Sequence, residues 1–395
     1  MYDFDKLQNR RNSGCVKWDT GCRIFHGGED FIPMWIADTD FATLPEITEA
    51  ISKRLEHPMF GYCCEPQEFF KSIASWAGKR YGWELETDWI NQVEGVVHGI
   101  ALSINALTEE GDSVIVQIPC YDNFTKVIER NKRRIEANKL VLKDGKFEID
   151  FEGLEKCMQS GAKVMLFCNP HNPTGRVWRR DELEKVAELC RKYDITVISD
   201  DIHCDVVHPG NKYTPIASLN EDMQMRTVSF YAPGKTFNTA ALKTACTVIP
   251  NPELMAKFKE WQGRMFMPKL NVLSYETSIA AYTYGEGYAQ ELSAYIAENA
   301  KYAYEFIKEN VPKIKADPIE GTYLMPWDCS ALGLEGRALV MFFANNAQVG
   351  FSSGNSYSPD WGGWVRVNLA CSRERLKEAL RRVAEAVNNL PEKAE

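Results

Sequence analysis

The sequence lacks any uninterrupted run of the roughly 18 apolar residues that a membrane-spanning helix needs, so no part of it is expected to cross a bilayer. Its first residues, MYDFDKLQNRRNS, lack the short apolar core of a secretory signal, which points to the cytoplasm. Positive charge is in the minority. Forty-six Lys and Arg stand against 55 Asp and Glu, and a net charge of -9 argues against phosphate-backbone binding as the main activity, so nucleic acid is not an expected partner. Twelve cysteines occur without one CxxC pair, which removes zinc ribbons and dithiol redox sites and leaves reduced core thiols. His203, Cys204 and His208 have no second cluster to complete a metal site, so no metal is expected. Internal repeats and low-complexity tracts are also missing.

At 395 residues the chain exceeds the roughly 250–300 at which one hydrophobic core stops growing, so at least two lobes are expected. From 45 to 285, short apolar runs alternate with helical periodicity: SVIVQI at 113–118, KVMLF at 163–167, ITVIS at 195–199, TVSFY at 227–231 and CTVI at 246–249. That alternation predicts an α/β fold, a mainly parallel sheet flanked by helices. DELEKVAELCRKY at 181–193 sets Leu183, Val186, Ala187 and Cys190 on one stripe, as a crossover helix requires. An unbroken helical stretch is expected from about Tyr275 to Asn310, joining the lobes. Beyond it, PIEGTYLMPWD, ALVMFFANN and VRVNLACS read as a small sheet and RERLKEALRRVAEAVNNL as an amphipathic helix, giving a smaller α+β domain. The expected division is an N-terminal segment, 1–44, dressing the small domain and site entrance; a large domain, 45–285; and a small C-terminal domain, 286–395.

Within that frame Lys235, in YAPGKTFN, is a candidate nucleophile. An unprotonated amine forms a Schiff base with an aldehyde, and burial or nearby positive charge lowers its pKa enough to do so. The GKT at 234–236 is not a P-loop, which needs a glycine where this chain has Ser229. Asp200 closes ITVISD at the carboxyl end of a strand, where open α/β sheets bind ligands, and a carboxylate there can keep a pyridine nitrogen protonated. Taken alone, such an Asp is more often a turn cap. His203, three residues on, can reach the same ring's oxygen or sit in the core, the commoner fate, and Asp201 should point the other way.

Asn172, in NPHNPTGR, is held by two prolines and a glycine, and its amide can donate to a ring hydroxyl oxygen. Arg366, in WVRVNLACS, matches a carboxylate with two parallel hydrogen bonds. GVVHGI at 95–100 opens a helix, so the backbone amides of Val96 and Val97 can bind a phosphate, with Lys243 adding charge. Tyr121, in IPCYDNF, can stack on a ring or serve as an ordinary core tyrosine. An anchored ring oxygen, a protonated ring nitrogen, an amine and a carboxylate clamp are together what pyridoxal 5'-phosphate and an amino-acid substrate demand.

With those residues the chain resembles the fold-type I superfamily of pyridoxal-phosphate aminotransferases, class I/II, and within it the cystathionine β-lyase branch of carbon–sulfur lyases. The branch is suggested by VKWD at 16–19, PMWIADTDF at 33–41, FGY at 60–62, SDDIH at 199–203, AAYTYGEGY at 280–288 and EGTYLMPWDC at 320–329. The resemblance implies that Lys235 holds the cofactor, Asp200 faces its ring nitrogen, Asn172 its ring oxygen and Tyr121 its face, with Arg366 clamping the substrate carboxylate. It also implies that Tyr62 is lent to the phosphate by a neighbouring subunit, and hence a homodimer with shared sites. The implied reaction is α,β-elimination of cystathionine or an L-cysteine S-conjugate to a thiol, pyruvate and ammonia. Departures are Gly234 for a usual Ser, Ala241 for Gly, Asp201 for Glu, and Thr39 for a bulkier residue. Two other readings stand beside this one. An aminotransferase would be favoured by a second carboxylate-binding arginine at the entrance; none is identifiable in the sequence, and Arg23 is unassigned. A catalytically silent regulatory or interaction protein of the same fold is opposed by the complete set of four residues.

Overall fold

The computed structural model describes residues 2–390; the ends of the expected terminal segments, residue 1 and residues 391–395, lie outside the described residues. Seven strands form the central sheet: β1 (Ile90–Val93), β2 (Ser113–Ile118), β3 (Arg134–Lys139), β4 (Val164–Cys168), β5 (Thr196–Asp200), β6 (Thr227–Tyr231) and β7 (Ala245–Val248). Their order is β1-β7-β6-β5-β4-β2-β3, and only β7 runs against its neighbours. Every residue of β4, β6 and β7 is buried, as expected of strands covered on both faces. Helices supply the cover: α1 (Pro45–Leu55), α2 (Gln67–Tyr81), α3 (Val96–Leu107), α4 (Asp122–Arg130), α5 (Phe151–Gln159), α6 (Arg180–Tyr193) and α7 (Pro252–Arg264). The stripe expected on α6 is the face it buries. Parallel pairing aligns the carboxyl ends of β4 and β5, with Cys168 opposite Asp200. One rim thus carries the loops after β4, β5 and β6.

The continuous helix expected from Tyr275 to Asn310 is two helices, α8 (Val272–Tyr284) and α9 (Glu286–Asn310). The break is at Gly285, where a Cβ would sit 2.3 Å from the Ala281 carbonyl oxygen and 2.4 Å from the Phe237 ring. A tight approach of another element therefore ends the first helix, which apolar periodicity alone cannot reveal.

A second sheet holds β8 (Lys315–Ala316), β9 (Leu324–Asp328), β10 (Ser352–Ser353) and β11 (Trp364–Asn368), all antiparallel, in the order β8-β9-β11-β10. ALVMFFANN, expected in this sheet, lies instead in helix α10 (Gly336–Ala347). Its buried residues Leu339, Val340, Phe343, Ala344 and Ala347 recur at three- and four-residue intervals, the spacing of one helical face. Helix α11 (Arg373–Asn388) packs beside it, begun by Ser372, whose hydroxyl accepts from the Arg375 amide at 3.3 Å. Trp327, Phe343, Phe351 and Leu380 belong to the core between sheet and helices.

The N-terminal segment carries regular structure: residues 16–24 form two short helical turns, and Ile32–Pro33 pairs in parallel with Val349–Gly350. A strap, residues 34–41, then crosses toward the central sheet, with the Asp40 amide bonded to the Ala370 carbonyl at 2.8 Å. A buried ion cluster pins it. Asp40 lies 3.2 Å from Lys17, 3.0 Å from Arg10 and 3.2 Å from Arg375, and accepts from Trp18 Nε1 at 3.0 Å. These cations outweigh burial and hold the Asp40 carboxyl below its usual range.

Candidate active site

A cavity of about 970 Å3 opens at the carboxyl rim of the central sheet, between that sheet and the smaller one. Lys235, on the turn after β6, and Asp200, at the tip of β5, both line it. Lys235 Nζ donates to the Ala37 carbonyl on the strap at 2.5 Å. Part of its side chain is open to the cavity while protein surrounds the amine; this burial, reinforced by Arg366, lowers its pKa to about 8. Asp38 and Asp200 oppose the shift. Burial likewise raises Asp200 to about 6, against the pull of the Ile202 amide, which donates to Oδ1 at 3.1 Å, and of Lys235. The site therefore holds an amine that deprotonates easily near a carboxyl that ionises reluctantly.

Asn172 and Arg366 come together directly. Arg366 Nη1 donates to Asn172 Oδ1 at 3.1 Å, which leaves the Asn172 Nδ2 hydrogens for another acceptor. Arg366 Nη2 donates to the Trp35 carbonyl at 2.6 Å, and the guanidinium lies over the Tyr357 ring at 4.9 Å. Its Nε, though buried, has no partner among the described residues. The loop bearing Asn172 is fixed by Arg176, which pairs with Glu182 at 2.9 Å and Glu320 at 2.7 Å, all little exposed. His203 is 2% exposed and lines the cavity with an unpartnered Nδ1. Burial, then the charges of Lys235 and Arg366, drive its pKa well below the usual value, so it is neutral. Asp201 is buried, raised to about 8 by that burial, and absent from the cavity wall, as its position beside Asp200 requires.

The remaining expected residues divide. Val96 and Val97 open α3 without a side-chain cap among the described residues, and both line the cavity together with Lys243, so the first amides of that helix are open to an anion there. Tyr121 also lines it; its hydroxyl accepts from Asn123 at 2.6 Å. Tyr62 does not join them: it is wholly exposed and outside the cavity of this chain. Sequence reasoning missed the strap residues Trp35, Ile36 and Ala37, Tyr357, and Arg337 on α10. PMWIADTDF carried a signal for the strap; Arg337 had none.

Residues 29–383 match the model of the aminotransferase class I and II family. The chain belongs to this family. It is 38% identical to "Cystathionine beta-lyase PatB" of Bacillus subtilis (strain 168), over 98% of this chain and 100% of that protein. "Protein MalY" of Escherichia coli (strain K12) is 31% identical, over 98% of this chain and 99% of its own. Cystalysin of Treponema denticola, solved with a pyridoxal 5'-phosphate cofactor, superposes with a TM-score of 0.96 at 33% identity, covering 99% and 100% of the two chains.

Proposed function

We propose that the chain is a pyridoxal-phosphate-dependent carbon–sulfur lyase that eliminates a thiol from cystathionine or another L-cysteine S-conjugate, leaving pyruvate and ammonia. The observation that carries this reading is the gathering of Lys235, Asp200, Asn172, His203 and Arg366 around one cavity, in a chain alike over its full length to a cystathionine β-lyase. The atoms the protein leaves unsatisfied there match the cofactor: His203 Nδ1 and the Asn172 amide suit the ring oxygen, and the uncapped start of α3 with Lys243 suits the phosphate. Asp200 gains an ionic partner when it faces a protonated pyridine nitrogen, which offsets the burial that otherwise keeps it reluctant to ionise. When bound, pyridoxal phosphate supplies a conjugated sink for negative charge developing at the substrate Cα.

The chain's own residues do the rest. Arg366 fixes the substrate carboxylate in a two-pronged grip, which orients the Cα–H bond toward Lys235. Lys235, which would also hold the cofactor's aldehyde, has a pKa near enough to neutral for its freed amine to take the Cα proton. Loss of that proton drives the thiolate from Cβ, and water hydrolyses the resulting enamine to pyruvate and ammonia. Tyr62 stands beside the exposed Met59 and Phe60, a surface that suits pairing of two copies. In the homodimer it would reach the phosphate of the second copy's site. Twelve unpaired cysteines suit a cytoplasmic setting.

Arg337 on the cavity wall favours a second reading, transamination of a dicarboxylic amino acid. The two separate in one assay. The lyase forms pyruvate from L-cystathionine with no keto acid present, whereas turnover only on adding a keto acid would defeat the lyase reading.

A further inference from the structure

The cavity is larger than a cofactor and a cysteine require, lying at the top of the roughly 300–1,000 Å3 typical of small-molecule sites. Its wall is apolar at Ile24, Phe25, Val340 and Phe351, and two exposed cations line it: Lys243, assigned above to the phosphate, and Arg337 on α10. Arg381 pairs with Glu378 and Glu385, Arg180 with Glu184 and Arg179 with Asp181, whereas Arg130 and Arg134 are exposed and unpaired among the described residues; of these, none lines the cavity as Arg337 does. Arg337 has neither a hydrogen bond nor an ion pair among the described residues. Its place is set by the backbone. Gly336 takes φ +52°, a conformation that favours glycine, and donates its amide to the Gly362 carbonyl at 2.8 Å, which starts α10 with Arg337 in the first turn.

Resting on the lyase reading above, we infer that Arg337 selects substrates whose leaving thiol carries its own carboxylate. The α-carboxylate is held deep in the site by the buried Arg366, the thioether chain lies along the apolar wall, and the distal carboxylate meets Arg337 at the mouth. Cystathionine has this two-ended form; S-methyl-L-cysteine lacks the second carboxylate.

The test uses cofactor-loaded Arg337→Ala and Arg337→Lys, with turnover and calorimetric binding measured for both compounds. In Arg337→Ala, kcat/KM for L-cystathionine falls about ten-fold through KM, the scale of one charge-assisted hydrogen bond. S-methyl-L-cysteine shifts less than two-fold, and Arg337→Lys recovers part of the loss. Equal losses for both compounds, or no loss for either, overturn the inference. Should the unmodified enzyme make no pyruvate from either compound, the lyase reading has failed, and the calorimetric comparison alone decides the role of Arg337.

Discussion

The lowered pKa of Lys235 makes a prediction about stability that needs no turnover. In the cofactor-free protein the folded chain releases the Lys235 proton near 8, whereas the unfolded chain holds it to about 10.5. Below pH 8 both states are protonated, and folding carries the full cost of surrounding an ammonium with protein. Between pH 8 and 10.5 the unfolded state binds more protons, so stability rises with pH and the cost disappears. The difference corresponds to roughly 3 kcal/mol, trimmed to about 2–3 because part of the side chain meets cavity water. Lys235→Met keeps the length and removes the charge. Cofactor-free Lys235→Met should therefore melt roughly 3 °C above the unmodified protein at pH 7, and the gap should close by pH 10.5. Thermal melts at the two pH values decide the matter. A variant no more stable at pH 7, or equally more stable at both, refutes the claim that burial sets this amine's pKa. The loaded variant should meanwhile lose turnover by more than about a thousand-fold, since base and covalent anchor go together.

Asp200→Asn should stabilise the cofactor-free protein at pH 7 by up to roughly 3 kcal/mol but not at pH 3.5, because the buried carboxyl costs stability only as pH climbs from its usual 3.8 through about 6; urea unfolding at both pH values checks this, and the loaded variant should be inactive. Asp40→Asn should destabilise by about 2–3 kcal/mol, below the roughly 3–5 of an uncompensated buried charge, because Lys17, only 1% exposed, keeps just the more distant Asp38 carboxylate at 3.7 Å; an unchanged urea midpoint would refute that. Gly285→Ala should lose about 1–3 kcal/mol, since the new methyl meets both the Ala281 carbonyl and the Phe237 ring; equal denaturation midpoints would show that the neighbours yield freely.

Strands buried on both faces were legible because nothing competes with their apolar run: VMLFC and TVSFY declare themselves. β3, RIEANK, did not, since it lies at the sheet's edge and leaves most of its side chains at least partly exposed. β1, INQV, is too short and polar to show a period of two. ALVMFFANN misled for the opposite reason: a dense apolar run hides its helical spacing, and length alone does not decide between strand and buried helix.

The candidate site divides along a similar physical line. Lys235, Asp200, Asn172 and Arg366 are legible because each side chain offers a distinct chemistry inside an unusual local motif. The strap contributes differently: Trp35 binds Arg366, and Ala37 binds Lys235, through main-chain carbonyls that any residue could supply. Lys17 and Asp40 carry nothing in their local sequence that marks them as buried, yet the fold buries them against each other beside the strap. Side-chain identity thus marks which groups can react, while the backbone of a segment more than 190 residues away sets where the reacting amine points. A substitution that frees the strap without touching the cavity, such as Asp40→Asn, should therefore disturb the pH dependence of turnover as well as stability, because the amine's charged form would lose its carbonyl acceptor.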